Sequence, residues 1–141
     1  MSLNKSFVDT NVLVYAYNLE AGPKHERARE LIQELWATQN GIISTQVLQE
    51  FYSSLRRLDR SLKISFVRGL VSNYFDWQVV VNAPESIFHA SEIEERYQVS
   101  FWDALIIHAA EISGASVLYS EDLSDGQRYG AVRVMNPFLA R

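Results

Sequence analysis

Four acidic residues, far apart in the chain, each stand where a carboxylate could do chemistry. Asp9 follows the apolar pair Phe7-Val8 in K-S-F-V-D-T-N-V-L-V-Y-A-Y-N, and Glu50 borders the apolar stripe of Q-V-L-Q-E-F. Asp103 lies in S-F-W-D-A-L-I-I-H-A-A, and Asp122 closes V-L-Y-S-E-D. Two carboxylates ~4 Å apart repel by ~4 kcal/mol at an effective dielectric of about 20. No Lys or Arg adjoins Asp9, Asp103 or Asp122 to offset that repulsion. A grouped set would therefore need Mg²⁺ or Mn²⁺, hard ions that prefer oxygen donors and retain waters. Such an ion activates water and stabilises an in-line displacement at phosphorus.

Each acid also has a plain structural explanation. Asp9 can be a helix N-cap, and Glu50 a surface glutamate near Arg57. Ser100 and Asp103 form an S-x-x-D capping box, and a first-turn acid suits the helix dipole. An Asx-turn explains Asp122, with Glu121 as an alternative in the acidic role. Repetition weighs against four separate explanations, because all four acids lie at strand ends or helix starts that can face a single sheet edge. Phe101, Trp102 and Ala104–Ile107 make the Asp103 helix apolar almost all round, so its start is expected to be buried. A carboxylate there needs a cation or several donors.

The elements that would position these acids follow from periodicity and punctuation. A short strand at Phe7-Val8 leads into a helix over Asn11–Asn18, which Gly22-Pro23 breaks. His25–Thr38 carries Ala28, Leu31, Ile32, Leu35 and Trp36 at helical spacing, and Asn40-Gly41 supplies its C-cap signal. Ile42–Ser44 reads as a buried strand, with Ser44 or Thr45 capping a helix over Gln46–Leu58. That helix turns Val47, Leu48, Phe51, Leu55 and Leu58 inward. A further helix over Ser61–Tyr74 is expected to bury Leu62, Phe66, Leu70 and Val71. Then come a strand at Gln78–Val81, a helix from Pro84 to about Tyr97, and a helix over Ser100–Ser113 closed by Gly114. Strands at Ser116–Tyr119 and Val132–Met135 complete the chain. This alternation predicts one three-layer α/β domain over residues 1–141, around a mostly parallel sheet.

Composition bounds the chemistry. The 141 residues contain no cysteine, which excludes disulfides, thiolate zinc sites and cysteine nucleophiles. His25, His89 and His108 are scattered, and His108 reads as a partly buried, satisfied side chain, so zinc is not expected. No apolar run approaches a membrane span and no signal pattern opens the chain, so a cytoplasmic protein with no membrane partner is expected. Met1-Ser2-Leu3 carries no weight in this reading. Net charge is −4, which argues mildly against nucleic acid, but one divalent ion brings it to −2 and two bring it to 0. S-S-L-R-R-L-D-R-S-L-K reverses the sign locally. Arg56, Arg57, Arg60 and Lys63 there are either a solvated face or a place for RNA phosphates. Phe101 and Trp102 could stack on a base, although their apolar surroundings favour a core role.

Taken in order, V-D-T-N-V-L, the mid-chain L-Q-E-F, S-F-W-D-A-L-I-I-H-A-A and L-Y-S-E-D-L resemble the acidic motifs of the PIN-domain family, which includes the VapC-type ribonuclease toxins of bacterial toxin–antitoxin pairs. The resemblance spans essentially the whole chain and implies an α/β/α sandwich with metal-dependent endoribonuclease activity. It places metal-coordinating, catalytic acids at Asp9, Glu50, Asp103 and Asp122, with Thr10, Asn11 and Ser120 as polar supports. The family's variable residue before the last Asp corresponds to Glu121, which assigns the role to Asp122. The resemblance also implies a homodimer and an inhibitory antitoxin that enters the cleft. The leading expectation is thus a Mg²⁺- or Mn²⁺-dependent endoribonuclease, the toxin of a type II toxin–antitoxin pair. A non-catalytic RNA- or protein-binding module of the same fold is the alternative. A phosphotransferase with Asp9 as nucleophile ranks last, because D-T-N lacks a second Asp and no phosphate-binding Gly loop follows.

Overall fold

Phe7 and Val8 have no exposed surface because the strand that carries them is paired on both sides. In the computed structural model, which describes residues 4–140, β1 (Ser6–Val8) runs parallel to β2 (Gly41–Ser44) on one side and to β4 (Val117–Tyr119) on the other. Phe7 pairs with Ile42 and with Leu118, so three apolar residues lie level across the sheet centre. The N-terminal Met1-Ser2-Leu3 lies outside the described residues. Beyond β2 comes β3 (Gln78–Val80), and beyond β4 comes β6 (Val132–Met135), both parallel to their neighbours. A two-residue strand, β5 (Arg128–Tyr129), pairs antiparallel with β6 and completes the order β3-β2-β1-β4-β6-β5.

Among the described residues, six α-helices make the crossovers. The first is α1 (Thr10–Tyr15), followed by α2 (Pro23–Thr38), and both lie between β1 and β2. Next, α3 (Thr45–Leu58) and α4 (Ile64–Asn73) lie between β2 and β3. The return from β3 to β4 carries α5 (Pro84–Tyr97) and α6 (Phe101–Ile112). Parallel crossovers are right-handed. The steps from β1 to β2 to β3 therefore send α1–α4 to one face, and the reverse step from β3 to β4 sends α5 and α6 to the other. Contacts agree: α1 packs on α2 and α3, α3 on α4, and α5 on α6. The expected three-layer arrangement around a mostly parallel sheet is present.

Several details depart from the sequence reading. The helix expected over Ser61–Tyr74 starts only at Ile64, because Asp59 Oδ1 takes both the amide and the hydroxyl of Ser61 in an Asx-turn. The buried face of α4 centres on Val67 and leaves Phe66 52% exposed; Leu58 at the end of α3 is 46% exposed as well. The left-handed residue that closes α2 is Gln39 (φ 59°), not the glycine two residues on. Gly41 has a different reason to be glycine: a Cβ there would stand 2.6 Å from the Trp77 ring. Trp77, Trp36, Tyr74, Phe51 and Tyr17 form one run of edge-on and tilted rings, in which Tyr17 and Tyr74 share a 2.6 Å hydroxyl contact. Strand β5 has no counterpart in the sequence reading. Two residues are too few to show a period, and the Gly130-Ala131 turn that pairs them with β6 follows a polar loop. Gly114 (φ 81°) closes α6 as expected.

Candidate active site

Because β1, β2 and β4 are parallel, their C-terminal ends open on the same edge of the sheet. The strand order turns back between β1 and β4, and a crevice outside such a switch point is where α/β sheets bind ligands. Asp9 leaves β1 there, Ser120 leaves β4, and Thr45 begins α3 directly from β2. The cleft over this edge measures about 420 Å³. It is lined by Asp9, Thr10 and Asn11 from α1 and its cap, by Glu50 and Arg57 from α3, by Asp103 from α6, and by Asp122. Seven of the residues assigned from sequence therefore share one cavity.

Asp9 is at once a helix cap and a buried cleft carboxylate. Its Oδ1 accepts the Thr10 amide at 2.7 Å, and its Oδ2 accepts the Ser120 hydroxyl at 2.8 Å. Only 6% of Asp9 is exposed. Burial pushes its pKa up to about 7, against the lowering effect of those two donors, and the nearby charges of Asp122 and Asp103 push the same way. Ser120 has no exposed surface; it supports Asp9 from beneath and does not line the cleft. Its hydroxyl also accepts the Asp122 amide at 3.2 Å, so one serine ties the first acid to the last.

The other acids are held in the same manner. Thr10 Oγ1 donates to Glu50 Oε1 at 2.6 Å, so Glu50 looks into the cleft and is not paired with Arg57. Arg57 instead donates to Ser53 and Ser54. Asn11 Nδ2 donates to Asp122 Oδ2 at 2.7 Å. Burial, then Asp103 and Glu121, raise the Asp122 pKa. Ser100 caps α6 by accepting the Asp103 amide at 3.1 Å. Glu121 is occupied elsewhere, bound by Lys24 and by the Tyr15 hydroxyl at 2.8 Å, which lower its pKa against burial. Glu121 is thus engaged away from the cleft, which Asp122 lines.

The convergence is looser than the sequence reading supposed. Among the described residues no three Asp, Glu or His side chains stand close enough to hold one ion jointly. Asp9, Glu50 and Asp122 are each drawn toward their own hydroxyl or amide donors instead. The donor set nevertheless fits a hard divalent cation. It is all oxygen, and none of the four acids is in a salt bridge among the described residues. Placing Asp9, Asp103 and Asp122 near one another costs repulsion that a cation would relieve.

Arg57 also lines a second, adjoining cleft with Tyr52, Ser53, Arg56 and Arg60. Lys63, at the N-cap of α4, lines neither cavity. Gln46, Ser53, Ser54 and Trp102 line the acid cleft without having been assigned a role there. A signal for most of them existed. Gln46, Glu50, Ser53, Ser54 and Arg57 recur at helical spacing and make a polar stripe beside the apolar one. Trp102 contradicts the expected core role, being 63% exposed, whereas Phe101 is half-buried against Ala90, Ala104 and Leu105.

The PIN domain family model matches residues 6–124, which include all four acids and every strand that positions them. The chain belongs to the PIN domain family. Solved PIN-like structures share its fold. Mycobacterium tuberculosis VapC20, described as a sarcin–ricin loop cleaving toxin, is 24% identical with a TM-score of 0.63, over 84% of this chain and 90% of that one. FitAB bound to an IR36 DNA fragment is 15% identical with a TM-score of 0.71, over 96% of this chain and 97% of that one. DNA-bound VapBC from Salmonella typhimurium is 19% identical with a TM-score of 0.66, over 95% and 98%. Among curated protein sequences, none matches this PIN domain. No helix among its described residues is long and apolar enough to cross a membrane.

Proposed function

We propose that this PIN domain is a divalent-metal-dependent endoribonuclease and the toxin of a type II toxin–antitoxin pair. The observation that carries the reading is the cleft at the carboxyl edge of the sheet. There four acids from separate segments meet on one cavity, with an arginine on its rim. Likeness to a sarcin–ricin loop cleaving toxin supports RNA as the polymer, and likeness to the FitAB and VapBC complexes supports an antitoxin partner. A homodimer and a cytoplasmic location belong to the same proposal.

Asp9, Glu50, Asp103 and Asp122 would hold Mg²⁺ or Mn²⁺. Bound there, the ion supplies an activated water and neutralises charge on the phosphodiester under attack. The chain's own groups do the positioning. Thr10 keeps Glu50 turned into the cleft, Asn11 keeps Asp122 there, and Ser120 holds Asp9 from below. Arg57 would meet a phosphate beside the one cut, and Arg56 on α3 and Arg60 just beyond its end continue the basic surface in the adjoining cleft. Lys63 is the weakest member of that group by position.

Purified protein incubated with structured RNAs should cleave them only with Mg²⁺ or Mn²⁺, and EDTA should stop the reaction. Asp9→Asn should lower the rate at least a hundredfold, the scale of losing one group that stabilises developing charge. Cleavage at the wild-type rate by Asp9→Asn refutes the mechanism. Binding of RNA without turnover under any divalent ion would leave the non-catalytic module as the better description.

A further inference from the structure

We propose that His89 and His108 form a second cation site, on the hairpin of α5 and α6, for a late first-row divalent ion of the Zn²⁺, Ni²⁺ or Cu²⁺ kind. The two histidines stand 19 residues apart in the chain and read there as scattered. Helices α5 and α6 are joined by residues 98–100 alone and pack along each other. In such a hairpin, residues equally far from the turn become neighbours. His89 lies ten residues before Val99, and His108 nine after it. Their ring centres are 5.4 Å apart and their planes 22° from parallel. An imidazole nitrogen binds Zn²⁺ at about 2.0–2.1 Å, so two ring centres on one ion stand roughly 5–6 Å apart.

The buried member of the pair is His108. It is 9% exposed, and among the described residues no hydrogen bond engages its ring nitrogens. A buried polar group without a partner calls for an explanation. Burial, and then the charge of His89, lower its pKa, which keeps the ring neutral and its lone pair available. His89 is prepared from the other side. Its Nδ1 lies 3.1 Å from Oε1 of Glu92, one turn further along α5. An ionised carboxylate only accepts, so the proton sits on Nδ1 and the lone pair on Nε2. A carboxylate behind the ring is the usual outer partner of a metal-bound histidine. The third histidine, His25, is buried on α2 with its Nδ1 engaged by the Tyr15 carbonyl.

Both rings line a cavity of about 680 Å³, larger than the acid cleft and sharing no residue with it. Glu92 and Glu111 line it too, against the permanent cation of Arg96, whose guanidinium lies over the Tyr97 ring. Two carboxylates and one guanidinium leave a net negative surround, which suits a cation over an anion. The donor atoms set the class of ion. Imidazole suits Zn²⁺, Ni²⁺ and Cu²⁺, whereas Mg²⁺ and Mn²⁺ belong with the oxygens of the acid cleft. Among the described residues no third His, Asp or Glu joins the pair. Water fills the remaining positions on the ion, so the site is open, unlike a four-ligand structural one.

Nuclear magnetic resonance of the histidine rings tests this, because the chain has three histidines and each reports for itself. The full-length, untagged, nitrogen-15-labelled protein is titrated with Zn²⁺ in excess Mg²⁺. The His89 and His108 signals should shift together over the same Zn²⁺ concentrations, and the His25 signal should stay in place. His89→Gln should weaken Zn²⁺ binding read at His108 by about tenfold or more, the scale of disrupting a metal's shell. The His89 side chain is exposed, so that variant is expected to fold. His108→Gln, read at His89, gives the reciprocal comparison. No shift at either ring, a shift of His89 without His108, or equal Zn²⁺ affinity in His89→Gln overturns the proposal. So does Zn²⁺ that binds without moving either ring, which would assign the ion to the acid cleft. The nuclease reading stands or falls separately, since neither histidine lines that cleft.

Discussion

Thr10 Oγ1 reaches Glu50 Oε1 at 2.6 Å across 40 residues of sequence, so the residue next to the first acid orients the second. Thr10 is buried, and its hydroxyl has no comparable use in capping α1. Thr10→Val keeps the shape and removes the donor. Loss of a group that orients a metal ligand typically costs ten- to a hundredfold in metal affinity or activity. Thr10→Val should therefore cut at about a tenth of the wild-type rate and need more Mg²⁺, while Thr10→Ser should restore both. Rates measured across a Mg²⁺ titration decide it; an unchanged Mg²⁺ requirement in Thr10→Val would make the contact purely structural.

Asp9 makes stability depend on pH in an unusual direction. Its carboxyl rises from an ordinary 3.8 to about 7 on folding, chiefly through burial. Below the unfolded value both states hold the proton and the group costs nothing. As pH climbs toward the folded value, the unfolded chain ionises first, so stability falls through that window and stays reduced above it. Without metal, Asp9→Asn should melt at a higher temperature than wild type at pH 8, with the gap narrowing toward pH 5. Mg²⁺ at pH 8 should raise the wild-type Tm more than that of the variant. Identical melting curves at pH 8 would mean that the buried carboxylate is stabilised by its two donors alone.

Adjacent acids are predicted to separate by role. Glu121 is held by Lys24 and Tyr15, and Lys24 also lies over the Tyr15 and Phe138 rings. Glu121→Gln should lower stability by about 1 kcal/mol, the scale of a partly exposed charged pair, and leave cleavage close to wild type. Asp122→Asn should do the reverse. Thermal melts and cleavage rates on both proteins make the comparison, and loss of cleavage in Glu121→Gln would move the catalytic assignment.

Among the basic residues, position in the clefts sets a ranking. Arg57→Ala should reduce the salt slope of RNA binding by about one unit, as expected for one lost phosphate contact. Lys63→Ala, outside both cavities, should leave the slope alone. Equal slopes for Arg57→Ala and wild type would return the basic run to an ordinary solvated face.

Three of the acids were legible in the sequence because each sits next to an element boundary that punctuation reveals (Val8 before Asp9, Ser100 before Asp103, Tyr119 before Asp122), whereas Glu50, inside α3, stood out only by its place beside the apolar stripe. The crossover pattern of strands and helices was legible for the same reason. Less visible were features that depend on what lies opposite. Gly41 looks like a helix stop until Trp77 is seen above it, and Gln39 adopts the left-handed conformation that the glycine was expected to take. Phe66 and Trp102 look like core residues in an apolar context, yet α4 buries Val67 in place of Phe66 and the open cleft leaves Trp102 exposed. How near the four acids come to one another is set by side-chain donors that act over 40 and 111 residues, a separation that no local pattern records.

Strand β1 is complete only when β4 has joined it, and β4 begins at Val117, late in the chain. During synthesis Asp9 and its strand are made more than a hundred residues before Ser120, whose hydroxyl holds the Asp9 carboxylate. The carboxyl edge of the sheet therefore closes only after β4 is in place, and a copy cut short before Val117 lacks both the strand that pairs with β1 on that side and the serine that holds Asp9.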